Sequence, residues 1–237
     1  MLKNERDTTD ILSVAIESGG FSDEDLVNQL MTFLIAGHET TASALSWAIC
    51  MLCKHPKIQT RLRDEIRSAI PDPRSPQAIV SANDIDNLTY LNAVCNEVLR
   101  LYPGVPITLR VAATDTSLLG HFIPKGTPFY ISPWATNANK ELWGDDAAEF
   151  NPDRWIGSGK ANTGGADNNY SFLTFLQGPR SCIGQGFAKG EFSCLLAAWV
   201  GVFETRFAKE DYEISVRGGI TPRPRDLEVK LKVLELW

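Results

Sequence analysis

The chain has 237 residues, of which 43% are hydrophobic and 22% are charged, and its formal net charge is −6. This length can bury a substantial core, and the composition is that of an ordinary globular protein. The negative net charge and scattered basic residues argue against a dedicated nucleic-acid binder. Five cysteines at irregular spacings exclude a complete disulfide framework and favour a reducing compartment.

The first strong element is a long helix predicted over residues 22–54. Ser22 and Asp25 form a start like a capping box, and no proline follows before Pro56. Residues 30–53 are apolar enough to resemble a membrane span, but Glu39 at the centre would cost about 2.5–3.5 kcal/mol on insertion. We therefore predict a buried helix there. The first residues contain no apolar run, which predicts neither a signal peptide nor a membrane anchor.

The rest of the chain predicts a mainly helical α+β fold with a small β-sheet, in one domain over residues 1–237. Helical periodicity, Gly and Pro breaks and β-branched stretches decide the element types. In chain order, these elements are a helix at 57–69, a helix at 88–101, strands with a hairpin at 105–132, an irregular meander with one helical turn at 134–156, a cysteine loop at 175–184, a helix at 184–207 and terminal strands at 212–235.

The stretch Ala36-Gly-His-Glu-Thr-Thr41 places a glycine and polar side chains inside an otherwise apolar helix. Glycine in a helix interior costs about 1 kcal/mol relative to alanine. Ala36 and Thr40 share a helix face, and Gly37 leaves the backbone open to a flat ligand. We predict a polar notch in an apolar wall. The alternative is a buried helix in which His38 and Glu39 contact each other.

Two charged stretches could meet in the fold. Glu97 and Arg100 share one helix face, and alone they predict a solvent-exposed pair that contributes about 0.2–0.5 kcal/mol. Phe150-Asn-Pro-Asp-Arg154-Trp155 offers a further arginine on a proline-fixed loop, which could dock on that pair.

The stretch Phe175-Leu-Gln-Gly-Pro-Arg-Ser-Cys-Ile-Gly184 places Cys182 two residues after Arg180 and just before a predicted helix. Adjacent arginines and helix N-termini favour the thiolate, the form of cysteine that binds metal. The alternative is an inert core cysteine. A second candidate, Cys50-Met-Leu-Cys53, lacks the partner ligands of a zinc site. Four cysteines are therefore predicted to lie in the core: Cys50, Cys53, Cys95 and Cys194.

Taken in order, these motifs resemble the cytochrome P450 family of haem-thiolate monooxygenases. Residues 175–184 fit the family's haem loop, Phe-x-x-Gly-x-Arg-x-Cys-x-Gly, at every specified position. Residues 36–41 fit its oxygen-activating helix, residues 97–100 its Glu-x-x-Arg element, and residues 152–155 its arginine-bearing meander. The resemblance implies the C-terminal portion of the P450 fold, with haem as cofactor.

The resemblance also implies a role for each matched residue. Cys182 would ligate the haem iron as a thiolate, and Phe175 would pack near its sulfur. Thr40 would hydrogen-bond bound dioxygen, and Glu39 would help to relay protons. The remaining residues expected to contact the haem are Arg110 and Arg180, which would bind its propionates, together with Ala36 and Gly184. A structural ionic triad is expected from Glu97, Arg100 and Arg154, and the substrate pocket from residues 105–108 and 220–221.

The implied activity inserts one atom of O₂ into a small, apolar organic substrate. An NADPH-dependent flavoprotein reductase would supply the electrons, and a full-length eukaryotic member would lie at the endoplasmic reticulum membrane. The resemblance begins at Ser22 and covers only the C-terminal half of the family's architecture, so we expect a truncated chain. Its longest helix should then leave an apolar face partly uncovered. The alternatives are a haem-binding remnant without turnover and a fragment without cofactor.

Overall fold

The computed structural model describes residues 11–72, 75, 79–160 and 163–235, and this part of the chain is mainly helical with small antiparallel sheets, as predicted. The α-helices are α1 (Ile11–Glu17), α2 (Asp23–Lys54), α3 (Pro56–Ala69), α4 (Ala82–Asp86), α5 (Thr89–Leu101), α6 (Pro133–Asn137), α7 (Lys140–Trp143) and α8 (Gln185–Val202). Short 3₁₀ helices cover Pro152–Trp155, Asn169–Ser171 and Gly178–Arg180.

The strands pair two by two in antiparallel fashion. They are β1 (Thr108–Val111), β2 (Thr116–Leu118), β3 (His121–Ile123), β4 (Pro128–Ile131), β5 (Phe203–Phe207), β6 (Val216–Arg217), β7 (Arg223–Pro224) and β8 (Val229–Val233). The pairs are β1 with β4, β2 with β3, β5 with β8 and β6 with β7. The tight β2–β3 hairpin turns at Leu119 and Gly120, both with positive φ, which suits the right-handed twist of its strands.

The core forms where α3, α5 and α8 pack against one another. Helix α5 is the most deeply placed, because every residue from Ala93 to Leu101 is buried. Its apolar side chains meet those of the two flanking helices, and the 3₁₀ helix Pro152–Trp155 also packs against it. Charged residues in the last turns of α5 are therefore buried together with the apolar ones.

The chain groups into two compact units, the first ending at Glu39 and the second beginning at Thr40. This boundary falls inside the continuous helix α2, so it does not decide the prediction of one domain. In the second unit, α2 is buried at Trp47, Ala48 and Cys50.

In the first unit, the apolar side chains of α2 face water: Met31 is 51% exposed, Leu34 63% and Ile35 60%. The prediction of a buried helix over 30–53 is therefore wrong for its first part, whereas the expected uncovered apolar face is present. Among the helices of the described residues, none has the length and mean hydropathy of a bilayer-spanning segment.

Two element assignments differ from the sequence predictions. The helix predicted over 184–207 ends at Val202, and residues 203–207 form β5, which pairs with β8. The β-branched and aromatic residues of Phe203-Glu-Thr-Arg-Phe207 suit a strand, and the distant partner strand decides the outcome. The predicted meander over 134–156 also contains most of α6 and all of α7, each capped at its start by a side chain, from Ser132 and Asn139 respectively.

Candidate functional site

Cys182 lies on an exposed loop between the 3₁₀ helix Gly178–Arg180 and the start of α8. Its N–H donates to the carbonyl of Phe175 at 2.8 Å, and the Ser181 N–H donates to the carbonyl of Gly178 at 3.0 Å. A Cβ added at Gly184 would lie 4.0 Å from the Cys182 sulfur, an ordinary contact distance, so Gly184 lies directly beside the thiol. The alternative of a core cysteine is therefore wrong for this residue.

The backbone of the loop turns through two left-handed residues, Leu176 at φ 59° and Gly178 at φ 77°. Glycine adopts this conformation readily, but for a side chain such as leucine it is uncommon and costs about 1–2 kcal/mol. Contacts outside the loop must therefore hold this conformation.

Glu97, Arg100 and Arg154 form a buried charge cluster. Arg100 Nε lies 2.8 Å from Glu97 Oε2, and Arg154 Nε lies 3.0 Å from Glu97 Oε1. The side chains of Glu97 and Arg100 are 0% exposed, and that of Arg154 is 7% exposed. The solvent-exposed pair considered from the sequence is therefore wrong, because the elements around α5 enclose this face of the helix.

Hydrogen bonds from outside the triad satisfy the buried charges. Glu97 also accepts from the N–H of Asn151 at 2.9 Å and from Trp155 Nε1 at 2.8 Å. Arg100 donates to three main-chain carbonyls, those of Asn137, Ala147 and Glu149. A buried ion pair persists only when its remaining donors and acceptors find partners, and this cluster meets that condition.

Arg154 has a second carboxylate, that of Asp146, with Nη2 2.9 Å from Oδ2. Partial burial raises the pKa of Asp146, but hydrogen bonds from Asn151 and Arg154 and the charge of Arg154 outweigh it. The pKa of Asp146 is therefore held below its ordinary value. Asp146 can therefore serve Arg154 as a second charged partner beside Glu97.

Sequence reasoning missed two polar residues that join α5 to the cysteine loop, Asn137 and Thr174. Asn137 is 0% exposed, and its side chain bonds both the end of α5 and the segment before the loop. The Thr174 hydroxyl donates to the carbonyl of Leu99 at 2.7 Å. Pro103 was a signal in the sequence, because it has no N–H to donate to the carbonyl of Leu99, four residues earlier in α5. The local sequence pattern cannot identify the residue that donates instead.

The other predicted haem contacts of the second unit lie on separate elements. Thr40 packs against Gly104, where an added Cβ would come within 3.3 Å of the Thr40 Cβ. Arg110 of β1 is half-buried and donates from Nη1 to Thr108 Oγ1 and to the carbonyl of Leu109. Arg180 is exposed on the cysteine loop. The haem and oxygen roles of these residues stay predictions.

In the first unit, Ala36, His38 and Glu39 are all exposed on α2. The alternative of a buried helix with a His38–Glu39 contact is therefore wrong as to burial. The predicted roles of Ala36 toward haem and of Glu39 in proton relay stay predictions.

The remaining cysteines divide by burial. Cys50 and Cys95 are buried as predicted, and burial raises the pKa of Cys50 to about 11 and that of Cys95 to about 12. Cys53 is partly buried, and Cys194 is exposed, so the core prediction is wrong for Cys194. Cys194 lies on the outer face of α8, whereas its neighbour Ser193 points inward. Among the described residues, no three His, Cys, Asp or Glu side chains cluster in a way that could hold a metal ion.

The sequence model of the cytochrome P450 family matches residues 2–230. This chain belongs to the cytochrome P450 family. It is 57% identical over 230 residues to the cytochrome P450 monooxygenase sphH of Aspergillus fumigatus, covering 96% of this chain and 42% of that protein. It is 43% identical to the cytochrome P450 monooxygenase ALT8 of Alternaria alternata, covering 96% of this chain and 44% of the relative. The chain thus spans less than half the length of these P450 relatives.

The described residues around Cys182 are compatible with its predicted role as the thiolate ligand of a P450 haem. A haem-thiolate protein would supply one thiol to the iron, and Cys182 offers an exposed thiol on its loop for that role. Helix α8 begins three residues after the cysteine, with its positive end near the loop.

Proposed function

We propose that this chain supplies the thiolate-bearing part of a haem-dependent monooxygenase that inserts one atom of O₂ into a small, apolar organic substrate. The observation that carries the proposal is the exposed Cys182 thiol on a loop joined to a buried charge cluster. The relatives are named monooxygenases, which supports the reaction class. An NADPH-dependent flavoprotein reductase would donate the electrons, and a full-length eukaryotic member of the family would lie at the endoplasmic reticulum membrane.

Bound haem would supply a redox-active iron that activates dioxygen. Cys182 would hold that iron as the thiolate, and its N–H would stay bonded to the Phe175 carbonyl, which holds the backbone at the cysteine in place. Arg110 and Arg180 would bind the propionates, for which the guanidinium fork is suited. Thr40 would donate a hydrogen bond to bound dioxygen, and Glu39 would help to relay protons.

A second candidate function is haem binding without turnover. The exposed apolar side chains of Met31, Leu34 and Ile35 favour it, because they lie on the same helix as the oxygen-activating motif. A catalytic site that excludes water needs this helix covered. Cys182 would be the iron ligand in both candidates, so the two candidates differ in turnover and agree in ligation.

The absorption spectrum of the haem-loaded, reduced chain under carbon monoxide tests the ligand. We expect a strongly red-shifted Soret band that Cys182→Ala abolishes. Cys194→Ala is the matched control, because it removes another exposed cysteine and should leave the band unchanged. A Soret band at the ordinary position in the wild-type chain would contradict thiolate ligation.

Turnover with added reductase separates the monooxygenase from the haem carrier. If Thr40 acts on bound oxygen, Thr40→Ala should consume electrons with less product, while Thr40→Ser, which keeps the hydroxyl, should stay coupled. Equal coupling in the two variants would refute the oxygen role of Thr40. Haem uptake without any product would favour the second candidate.

A further inference from the structure

The last turn of α5 has carbonyl groups that the helix cannot satisfy. The final carbonyls of any α-helix lack the N–H four residues later that would close the hydrogen bond. For Leu99 that position is Pro103, which has no N–H to donate. The carbonyl of Arg100, next to it, comes just before the end of the helix at Leu101. Both groups are buried, so both need partners from elsewhere.

Two side chains from outside the helix supply these partners. The Thr174 hydroxyl donates to the Leu99 carbonyl at 2.7 Å, and Asn137 Nδ2 donates to the Arg100 carbonyl at 3.1 Å. Asn137 is the last residue of α6, and Thr174 directly precedes Phe175, the first residue of the cysteine loop. The end of α5 is therefore capped by the segment that leads into the loop.

The two capping side chains are bonded to each other as well. Asn137 Nδ2 donates to Thr174 Oγ1 at 2.8 Å, and Asn137 Oδ1 accepts from the N–H of Leu173 at 2.8 Å. The main-chain carbonyl of Asn137 accepts from Arg100 Nη1 at 2.7 Å. A largely buried network in which every member has a partner favours a single geometry. This network therefore ties Leu173 and Thr174 to the charge cluster.

We propose that Asn137 and Thr174 are positioning residues for the cysteine loop. They fix the chain just before Phe175, and the Phe175 carbonyl accepts the N–H of Cys182 at 2.8 Å. Their hydrogen bonds therefore transmit the position of α5 to the thiol. The use of that thiol as a haem ligand rests on the proposed function, whereas the positioning itself does not.

Three variants separate this role from general stability. Thr174→Val keeps the side-chain shape and removes the hydroxyl, which leaves the Leu99 carbonyl without its partner. Thr174→Ser restores the hydroxyl and is the conservative rescue. Asn139→Ala is the matched control, because Asn139 caps the nearby helix α7 and makes none of the hydrogen bonds of the network.

Hydrogen exchange of the haem-free full chain under native conditions is the first readout. Losing this bond should raise the exchange rate of the protected amides in residues 173–182 by about fivefold to tenfold in Thr174→Val. Thr174→Ser and Asn139→Ala should match the wild-type chain in this segment. Wild-type rates in Thr174→Val, or an unprotected segment in the wild-type chain, would overturn the positioning role.

The carbon monoxide spectrum of the haem-loaded variants is the second readout. Thr174→Val should convert part of the red-shifted Soret band to the ordinary position, and Thr174→Ser should not. A full red-shifted band in Thr174→Val would overturn the transmission to the thiol. If the wild-type chain itself lacked the red shift, the proposed function would fail, while hydrogen exchange would still decide the positioning role.

Discussion

Glu97→Gln should destabilise the folded chain by about 3–5 kcal/mol, the range measured when one partner of a buried ion pair is removed. The substitution keeps the size of the side chain and removes its negative charge. Glu97 and Arg100 are both 0% exposed, so water cannot replace the lost carboxylate. Arg154 would keep Asp146 as a partner, but the guanidinium of Arg100 would be left without the carboxylate that it contacts.

The hydrogen bonds of the carboxylate give the same scale. Its two oxygens accept from five donors: Arg100 Nη2, Arg154 Nε and Asn151 N at Oε1, with Arg100 Nε and Trp155 Nε1 at Oε2. A glutamine NH₂ cannot accept, so even the better orientation of the amide loses two of these bonds. Bonds to charged groups contribute about 1.5–3 kcal/mol each, so losing two costs about 3–6 kcal/mol.

Urea unfolding followed by tryptophan fluorescence measures the loss, since Trp155 lies in the cluster itself. The matched control is Asp153→Asn, which breaks the pair of Arg61 and Asp153 at 2.8 Å with side chains 51% and 57% exposed. An exposed pair of this kind contributes about 0–1 kcal/mol. If Glu97→Gln lost no more stability than Asp153→Asn, the argument from burial would be refuted.

Two further substitutions test buried groups away from the loop. Burial raises the pKa of Cys95 from 9.0 to about 12, so its stabilising effect is complete below pH 9 and is lost as the pH rises toward 12. Above pH 9 the unfolding free energy of the wild-type chain should therefore fall more steeply than that of Cys95→Ala, by about 1.4 kcal/mol per pH unit. Val94→Ala, which creates a cavity in the same helix, is the control and should keep the wild-type dependence of the unfolding free energy on pH. If the wild-type chain and both variants had the same pH dependence, the raised pKa of Cys95 would be contradicted. Gly164→Ala should cost about 1–3 kcal/mol in urea, because φ is +59° and the new Cβ would lie 2.8 Å from a tryptophan ring. Gly159→Ala, at φ +74° with open space around it, carries only the backbone strain, so an equal loss there would show that the ring contact is unimportant.

The cysteine loop and the long helix could be predicted from sequence because their signals are local. Capping residues and the absence of proline set the helix, which runs from Asp23 to Lys54 against a prediction of 22–54. The loop was recognised from the positions of Gly178, Arg180 and Cys182.

The surroundings of the charge cluster could not be predicted in the same way. A spacing of three places Glu97 and Arg100 on one helix face, but it does not tell whether water or protein covers that face. The residues that bond to this pair from outside the helix come from 37 to 58 positions later in the chain, from Asn137 to Trp155. The same limit applies to β5, whose partner strand lies beyond residue 228.

The structure explains why charged and polar groups, rather than apolar ones, join α5 to the cysteine loop. Apolar packing at the end of α5 could be equally stabilising, since replacing buried ion pairs by apolar residues is often neutral. Hydrophobic burial is non-directional, however, whereas a hydrogen bond fixes both a distance and an angle. The loop turns through Leu176 in a conformation that leucine disfavours, so a loosely held loop would relax away from it. Directional bonds from Asn137 and Thr174 hold the chain at the point where that strain begins, and the position of the thiol follows from them.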